Sequence, residues 1–264
     1  MNINLKFLLL GTSLSLIPQY AAGQCAVTDC QQLGYTSLKK CDNGLKCPFG
    51  EYWACPKVEE KAVLGECTGY AKNCKIGDIL NGDGTCTTNK EAGKTPIGVV
   101  VYIGGDNCGQ ALALKDLGAM LWATAESVDI PDFPHYESVS AAEQDFDSCG
   151  NTQKIIKQGT STYPAAWAAV NYAPSSVPAT KGKWCLPAAG VARSMMNNYS
   201  AIISGLSKAG GELLPGMSVH NHWYWSSSEI DIATVWGWCY ACARLDRYGK
   251  VYGTTGYVRP VIAF

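Results

Sequence analysis

The chain has 264 residues, of which 47% are hydrophobic and 16% charged, and its formal net charge is −1. This near-neutral balance argues against nucleic acid or anionic lipid as the main partner, because both are recognised through clustered basic charge. In an exported protein the 13 cysteines predict disulfide bonds and an oxidising compartment, and their odd number leaves at least one thiol free or linked to another chain.

The N-terminus has the pattern of a secretory signal peptide. Lys6 precedes an apolar run, Phe7 to Ile17, which is followed by the small residues Ala21-Ala22-Gly23. We therefore predict a signal peptide over residues 1–23 and an exported protein, located in the periplasm, at the cell surface or outside the cell. Gln24 disfavours a lipid anchor on Cys25, and we expect no transmembrane segment in the mature chain.

Residues 24–72 are predicted to form a small cysteine-rich module. Eight cysteines crowd the first third of the chain: Cys25, Cys30, Cys41, Cys47, Cys55, Cys67, Cys74 and Cys86. A segment this short buries too little apolar surface to fold on that alone, so cross-links would hold it. These cysteines lack the Cys-x2-Cys pairs of structural zinc sites, and we expect no metal or cofactor.

The composition of the chain changes at Lys75, where a β-hairpin is predicted. Ile76 to Leu80 reads as a strand and Asn81 to Gly84 as its turn, with Cys74 and Cys86 placed to pair across the open end. The continuous apolar run Ile97 to Ile103 is typical of a buried strand, and Gln110 to Lys115 of its partner.

The middle of the chain is predicted to be helical. Four helices are expected: Asn151 or Thr152 to Gln158, Ala165 to Tyr172 after Pro164, residues 188–197, and Tyr199 to Ala209. Strands followed by helices and then strands indicate an α+β class, with one domain over residues 73–264.

The C-terminal residues alternate with period two, which predicts a strand from Val235 to Leu245. Asp246 to Gly249 would then form a turn and Lys250 to Tyr252 a returning strand, with a β-rich finish from Tyr257 to Phe264. One face of the long strand would carry Trp236, Trp238, Tyr240, Cys242 and Arg244.

Several short motifs resemble one family of exported bacterial domains. They are Ile76-Gly77-Asp78-Ile79-Leu80 with Asp83-Gly84-Thr85, Ile97-Gly98-Val99-Val100, Ala113-Leu114-Lys115-Asp116, Gly150-Asn151-Thr152-Gln153-Lys154-Ile155, Lys183-Trp184-Cys185-Leu186-Pro187-Ala188-Ala189-Gly190, Tyr224-Trp225-Ser226-Ser227-Ser228-Glu229 and Tyr257-Val258-Arg259-Pro260. In their order they are similar to the DUF1566, or Legionella collagen-like C-terminal, domains. The resemblance implies a C-type-lectin-like fold, shared with formylglycine-generating enzymes and with the variable proteins of diversity-generating retroelements.

The resemblance also bears on which face of the last sheet is buried. It makes Trp236, Trp238 and Tyr240 the core face, whereas the alternation alone equally allows an exposed platform for sugar stacking. The presented surface would then comprise Ile230, Asp231, Ile232, Thr234, Arg244, Leu245, Asp246, Arg247, Tyr248, Tyr252, Thr254 and Thr255. Tyrosine, arginine and short polar side chains suit recognition, because rigid aromatic rings lose little entropy on binding.

Two other groups of side chains are candidates for chemical sites. His220 and His222 could ligate a metal from one strand face, but no third ligand is identifiable, so polar loop histidines are favoured. The three serines Ser226-Ser227-Ser228 lack a nucleophile elbow and are expected to bond the backbone or cap a turn.

A redox function is one hypothesis for the cysteines near the C-terminus. Cys239 and Cys242 would point to opposite faces of a regular strand, so bridges from them to Cys108, Cys149 or Cys185 are favoured over a mutual bond. A catalytic pair is disfavoured, because these cysteines do not lie at a helix N-terminus.

The favoured interpretation is an exported, non-catalytic recognition protein that binds a protein or glycan on another cell's surface. Diversification of the surface by sequence variation is a further hypothesis. The alternative is a structural envelope or pilus-associated subunit, with an unpaired cysteine linking chains. A thiol or metal enzyme is the weaker alternative.

Overall fold

In the computed structural model, helices pack between and beside two β-sheets, which confirms the predicted α+β class. The structure describes residues 61–124, 130–214, 223–239, 243–251 and 255–264. They belong to one compact unit, Lys61–Phe264. Within these ranges, no helix combines the length and apolar character needed to cross a bilayer.

The first sheet has six strands in the order β2-β1-β3-β4-β11-β6. They are β1 (Ile79–Asn81), β2 (Cys86–Thr87), β3 (Pro96–Ile103), β4 (Gly109–Ala113), β6 (Trp184–Cys185) and β11 (Val261–Ala263). The predicted hairpin and the predicted pairing of the 97–103 strand with the following strand are confirmed, since β1 and β2, and β3 and β4, are antiparallel.

The second sheet has five strands in the order β5-β10-β7-β8-β9. They are β5 (Ala119–Met120), β7 (Tyr224–Glu229), β8 (Thr234–Cys239), β9 (Arg244–Gly249) and β10 (Gly256–Tyr257). The single strand predicted from Val235 to Leu245 is wrong, because the chain reverses between Cys239 and Arg244, and β8 and β9 pair antiparallel.

The predicted turn at Asp246 to Gly249 therefore lies inside β9. Cross-strand pairing overrides its turn propensity: Trp236 lies opposite Arg247, and Gly237 lies opposite Asp246. The period-two pattern continues on both sides of the reversal, so alternation alone could not reveal where the chain turns back. The last strands also divide between the sheets, with β10 in the second and β11 in the first.

The helices are α1 (Val139–Ala142), α2 (Ser148–Lys157), α3 (Pro164–Asn171), α4 (Ala189–Asn197) and α5 (Tyr199–Ala209), with 3-10 turns at Tyr70–Asn73 and Pro178–Thr180. The predictions for the last three helices are confirmed. The predicted cap of α2 is wrong: Asp147 begins the helix, its Oδ1 accepting a hydrogen bond from the Gly150 amide at 2.9 Å.

Three hydrophobic clusters fill the spaces on either side of the sheets. The central cluster joins β3 and β4 to β7, β8 and β9 through α4 and α5. A second cluster lies on the opposite face of the second sheet, where α2 and α3 cover Trp225 and Val235. The third covers the outer face of the first sheet and includes Trp184 and Phe264. Each sheet is therefore covered on both faces, which explains why β3 is apolar along most of its length.

Arg259 fixes the point where the chain crosses from one sheet to the other. Its buried guanidinium donates to the carbonyl oxygens of Ala113, at 2.9 Å, and Glu212, at 2.6 Å. It also pairs with Asp116 at 3.3 Å, and Asp116 accepts a hydrogen bond from the Tyr224 hydroxyl. This cation therefore ties β4, the end of α5 and β7 to the final strands.

Disulfide bonds join Cys67 to Cys108, Cys74 to Cys86, and Cys149 to Cys185. The predicted Cys74–Cys86 pair is confirmed. The bridges favoured from Cys239 or Cys242 to Cys108, Cys149 or Cys185 are wrong, because those three cysteines are taken by other partners. Cys239 is also disulfide-bonded. These bonds are consistent with an exported protein.

The predicted cysteine-rich module lies largely outside the described residues, and its boundary at residue 72 stays a prediction. Residues 61–72 of the module are described, and two of their backbone amides donate hydrogen bonds to the first sheet and its hairpin turn. The Ala62 amide donates to the Gly84 carbonyl at 2.9 Å, and the Gly65 amide donates to the Ala263 carbonyl at 2.7 Å.

Candidate functional site

Strand β9 lies at the edge of the second sheet and carries most of the predicted recognition residues. The side chains of Arg244 and Asp246 are 64% and 41% exposed, and they form an ion pair at 2.8 Å. Arg247 is also exposed. The edge of the sheet therefore presents charged groups next to a fully packed interior.

The register of β8 and β9 decides which side chains share a face. Residues directly opposite each other in an antiparallel pair lie on the same face. Arg244, Asp246 and Tyr248 lie opposite Cys239, Gly237 and Val235, while Leu245 and Arg247 lie opposite Trp238 and Trp236. The expectation that Arg244 shares a face with Trp236 and Trp238 is therefore wrong.

The tryptophans of β8 belong to the core, as predicted. Trp238 is fully buried and Trp236 is 6% exposed. The Tyr224 and Trp238 rings stack with centroids 4.3 Å apart, and the Trp236 indole donates to the Tyr136 carbonyl at 2.9 Å. These contacts pack the interior of the sheet next to β9. The third member of the predicted core face, Tyr240, lies outside the described residues.

The other predicted surface residues have different environments. Ile230 is buried at 1% exposure in the central cluster, so its assignment to the surface is wrong. An aliphatic residue beside two polar ones in a turn gave no signal of burial. Ile232 is 44% exposed, and Thr255 is exposed. Leu245 is also buried, whereas Tyr252 and Thr254 lie outside the described residues.

Asp231 shapes the turn between β7 and β8. Its Oδ1 accepts hydrogen bonds from the amides of Ala233 and Thr234, both at 2.8 Å. Partial burial raises the pKa of Asp231, but hydrogen bonds from Thr234 and Ala233 outweigh it and lower the pKa below its usual value. Asp231 and the half-buried Thr234 are therefore held by local structure, and Ile232 is left at the tip.

An aromatic pair occupies the same face of the sheet as Arg244 and Asp246. The Trp223 and Tyr248 rings are parallel within 2°, with centroids 3.8 Å apart. Both rings are partly buried, and Trp225 meets Trp223 edge-on with centroids 4.3 Å apart. Burial raises the pKa of Tyr248, and the neighbouring Asp246 carboxylate adds to that rise.

Two glycines make room for this pair. A Cβ atom at Gly237 would lie 2.7 Å from the Tyr248 ring and 3.0 Å from Trp223, and one at Gly256 would lie 2.5 Å from Trp223. Side chains at these positions would push the rings off the sheet. The Trp223–Tyr248 stack therefore depends on glycine in both flanking strands.

A buried ion pair lies at the far end of β9. The Lys250 ammonium contacts the Glu229 carboxylate at 2.6 Å, and both side chains are at most 1% exposed. His135 Nε2 lies 3.5 Å from the second carboxylate oxygen, and the Trp122 ring lies 5.1 Å from the ammonium. Burial, followed by the charge of Glu229, raises the pKa of Tyr163 to about 12. Such a pair fixes the end of the strand, because neither charge can be left alone in the interior.

The hydroxyls of Ser226 and Ser228 bond to the backbone, as expected, whereas the buried Ser227 hydroxyl has no hydrogen-bond partner among the described residues. Ser226 donates to the Trp236 carbonyl at 2.6 Å, while Ser228 accepts from the Ala189 amide, at the start of α4, and donates to Asp145 at 2.6 Å. Burial raises the pKa of Asp145, against the opposing effect of hydrogen bonds from Ser228, Asp147 and Asn151. These contacts give the serines a structural role.

A further contact holds the start of β9. Arg193, on α4, pairs with Glu143 at 2.6 Å and donates to the Ala243 carbonyl at 3.2 Å. Ala243 has a φ of 49°, in the left-handed region that non-glycine residues rarely adopt. The strand is therefore anchored at both ends, by Arg193 at Ala243 and by Glu229 at Lys250.

Two groups of side chains bear on the metal alternative. His220 and His222 lie outside the described residues. Within the described ranges, one group of metal-binding side chains has its ligand atoms within 4.8 Å of one another, namely Cys67, Asp106 and Cys108. The two sulfurs of that group are bonded to each other, which removes them as thiolate ligands.

Sequence reasoning missed Trp223, Glu229 and Lys250 as parts of this region. Trp223 stands directly before the Tyr224 to Glu229 motif, and no local pattern marks it as part of the surface. Gly237 has no side chain, so it leaves space for a ring on one face of β8. Only the pairing of β8 with β9 shows that the Tyr248 ring lies over that space.

No family model and no curated protein matches the sequence. Among solved structures, the fold is similar to that of a fimbrial protein from Bacteroides ovatus, with a TM-score of 0.53 and 15% sequence identity. The match covers 72% of this chain and 49% of that protein, so the chain corresponds to about half of its length. At this identity the likeness concerns the fold.

Proposed function

We propose that this chain is an exported, non-catalytic recognition protein that binds a partner on another cell's surface through β9 and the adjoining turn at Ile232. The observation that carries the proposal is the exposed Arg244–Asp246 pair on an edge strand fastened at both ends. A pre-ordered surface loses little conformational entropy on binding, so its side chains can contribute most of their interaction energy to affinity.

The C-type-lectin-like assignment and the resemblance to DUF1566 domains belong to this proposal. They are supported by the mixed α+β architecture and by the structural roles of the shared motifs. Ser228 caps α4, and Arg259 holds the crossing between the sheets. These roles explain why such motifs would recur in domains that bind different partners.

The fold likeness to a fimbrial protein favours a second candidate function, that of a pilus-associated subunit. In this case the chain would be incorporated into a surface appendage, and an unpaired cysteine could link it to a neighbouring subunit. Disulfide-linked multimers on non-reducing gels of surface extracts would support this function. A protein that migrates as a monomer and binds cells saturably would favour recognition instead.

The test of the recognition proposal is a titration of the labelled mature chain onto panels of intact bacterial and epithelial cells. We expect saturable binding to at least one cell type. The double variant Arg244→Ala/Asp246→Ala should weaken it by about tenfold or more, because it removes the central polar pair of the surface.

Trp167→Ala is the matched control for this titration. Trp167 is 42% exposed on α3, so its replacement also removes an exposed side chain but leaves β9 intact. Equal binding by the double variant and wild type, with both proteins folded, would contradict the proposed surface. A lack of saturable binding to every cell type would contradict the function itself.

A further inference from the structure

The Trp223–Tyr248 stack and the Arg244–Asp246 pair lie on one face of the second sheet, and together they define a polar-aromatic patch. We propose that this patch binds a neutral saccharide, an inference that rests on the recognition function proposed above. It adds Trp223 to the surface and assigns a chemical class to the ligand.

The Trp223 and Tyr248 rings are held in place by contacts on several sides. Trp223 is held by the stack with Tyr248, by the edge contact with Trp225, and by the space above Gly237 and Gly256. Both rings remain partly exposed at the border of the second hydrophobic cluster. Partly exposed aromatic rings that are held in place offer apolar surface at little entropic cost, and the C–H face of a sugar ring can pack against such a surface.

A polar pair, Arg244 and Asp246, lies on the same face as the rings. Because Arg244, Asp246 and Tyr248 alternate along β9, they point to the same side of the sheet. The guanidinium supplies donors, the carboxylate supplies acceptors, and the phenol can do either. Adjacent sugar hydroxyls both donate and accept, so one saccharide can satisfy all three groups.

The charges of the polar pair balance. Arg244 and Asp246 neutralise each other at 2.8 Å, so the face carries no net charge from this pair. Arg247 lies on the opposite face of the strand, across from Trp236. A neutral pair favours an uncharged ligand, whereas an anionic ligand would have to compete with Asp246 for the guanidinium. An apolar peptide would leave the exposed ion pair without a role.

The test uses the full mature chain on an array of immobilised neutral oligosaccharides that includes glucans, galactans and mannans. We expect binding to at least one of them. Tyr248→Ala should weaken that binding by about tenfold or more, through loss of the stack. Asp246→Asn should weaken it by a smaller factor, because it removes a charged acceptor at an exposed position.

Trp167→Ala is the control, and thermal unfolding checks that each variant is folded. If Tyr248→Ala does not fold, Asp246→Asn still tests the patch, because Asp246 is exposed and its replacement is conservative. Array binding that neither variant weakens would overturn the assignment of the patch.

Two further outcomes separate this inference from the function on which it rests. Saturable cell binding that free oligosaccharides do not compete, and that protease treatment of the cells abolishes, would overturn the saccharide inference and leave the recognition function standing. Absence of cell binding together with absence of array binding would overturn both.

Discussion

The two sheets of this domain are stabilised by different chemistry. The central strands of the first sheet bury mainly aliphatic side chains, such as Ile79, Val99 and Leu112, and aromatic rings such as Trp184 lie on its outer face. The second sheet buries aromatic rings and charged groups, among them Trp238 and the Glu229–Lys250 pair. Apolar packing tolerates small adjustments, whereas a buried ion pair is stable only in one arrangement. The candidate surface therefore lies on a sheet whose last strand is held by a buried ion pair as well as by apolar packing.

The largest effect is expected from breaking the buried pair. Lys250→Met should lower the free energy of unfolding by about 3–5 kcal/mol, because it leaves Glu229 buried without its cation. Adding Glu229→Leu should recover a large part of that loss, since the double variant contains no isolated charge. Denaturant unfolding of the two single variants and the double variant measures this coupling. Additive losses would show that the pair does not act as a unit.

A cavity in the first sheet should behave differently. Leu112→Ala is expected to cost about 2–5 kcal/mol through lost burial and the remaining cavity. This loss should be largely additive with that of Lys250→Met, because the two sites use separate contacts. Denaturant unfolding of the combined variant tests this. Strong coupling between the two substitutions would contradict the division between an aliphatic and an ionic sheet.

Asp145 provides a smaller, pH-dependent comparison. Burial raises the pKa of its carboxyl group in the folded protein, so its contribution to stability is fully present below the unfolded value of about 3.9 and is lost as the pH rises through the folded pKa. Wild type should therefore gain stability relative to Asp145→Asn as the pH falls, by about 1.4 kcal/mol for each pKa unit between the two states. Thermal unfolding at several pH values between 3 and 7 measures the difference, and the opposite trend would contradict the assignment.

The smallest effect, with the opposite sign, is expected at the hairpin of the first sheet. Partial burial would raise the pKa of Asp83, but hydrogen bonds from Lys94 and Thr85 lower it to about 2. This stabilisation is present above the unfolded value and is lost as the pH falls toward 2. Asp83→Asn should therefore cost less than about 1 kcal/mol at neutral pH, because the pair is partly exposed, and nothing at the acid end. If Asp83→Asn lowered the free energy of unfolding equally at neutral and at acid pH, the charge of Asp83 would not contribute to stability.

The first sheet was largely predictable from the sequence, and the second only in part. The apolar run of β3, the Cys74–Cys86 bridge and the periodicity of α5 are local signals, and each identified its element. The hairpin of β8 and β9 was missed because alternation continues on both sides of the reversal. The pairing of Glu229 with Lys250 joins residues 21 positions apart, and no local pattern specifies it.

The candidate surface shows the same limit. Arg244, Asp246, Arg247 and Tyr248 were identified from residue type, since tyrosine and arginine are typical of binding surfaces. Their division between two faces, and the burial of Ile230, depend on the register of β9 and on packing against α4. Trp223 becomes part of the patch only because two glycines in neighbouring strands leave space for its ring.

The most direct measurement is a titration onto intact cells that compares Tyr248→Ala with Trp167→Ala, since both remove an aromatic ring with exposed surface, one on the polar-aromatic patch and one on α3. We expect Tyr248→Ala to weaken saturable binding by about tenfold or more, and Trp167→Ala to bind like wild type. If folded Tyr248→Ala bound as tightly as wild type, or if Trp167→Ala lost binding to the same extent, the assignment of recognition to the face of β9 would be wrong.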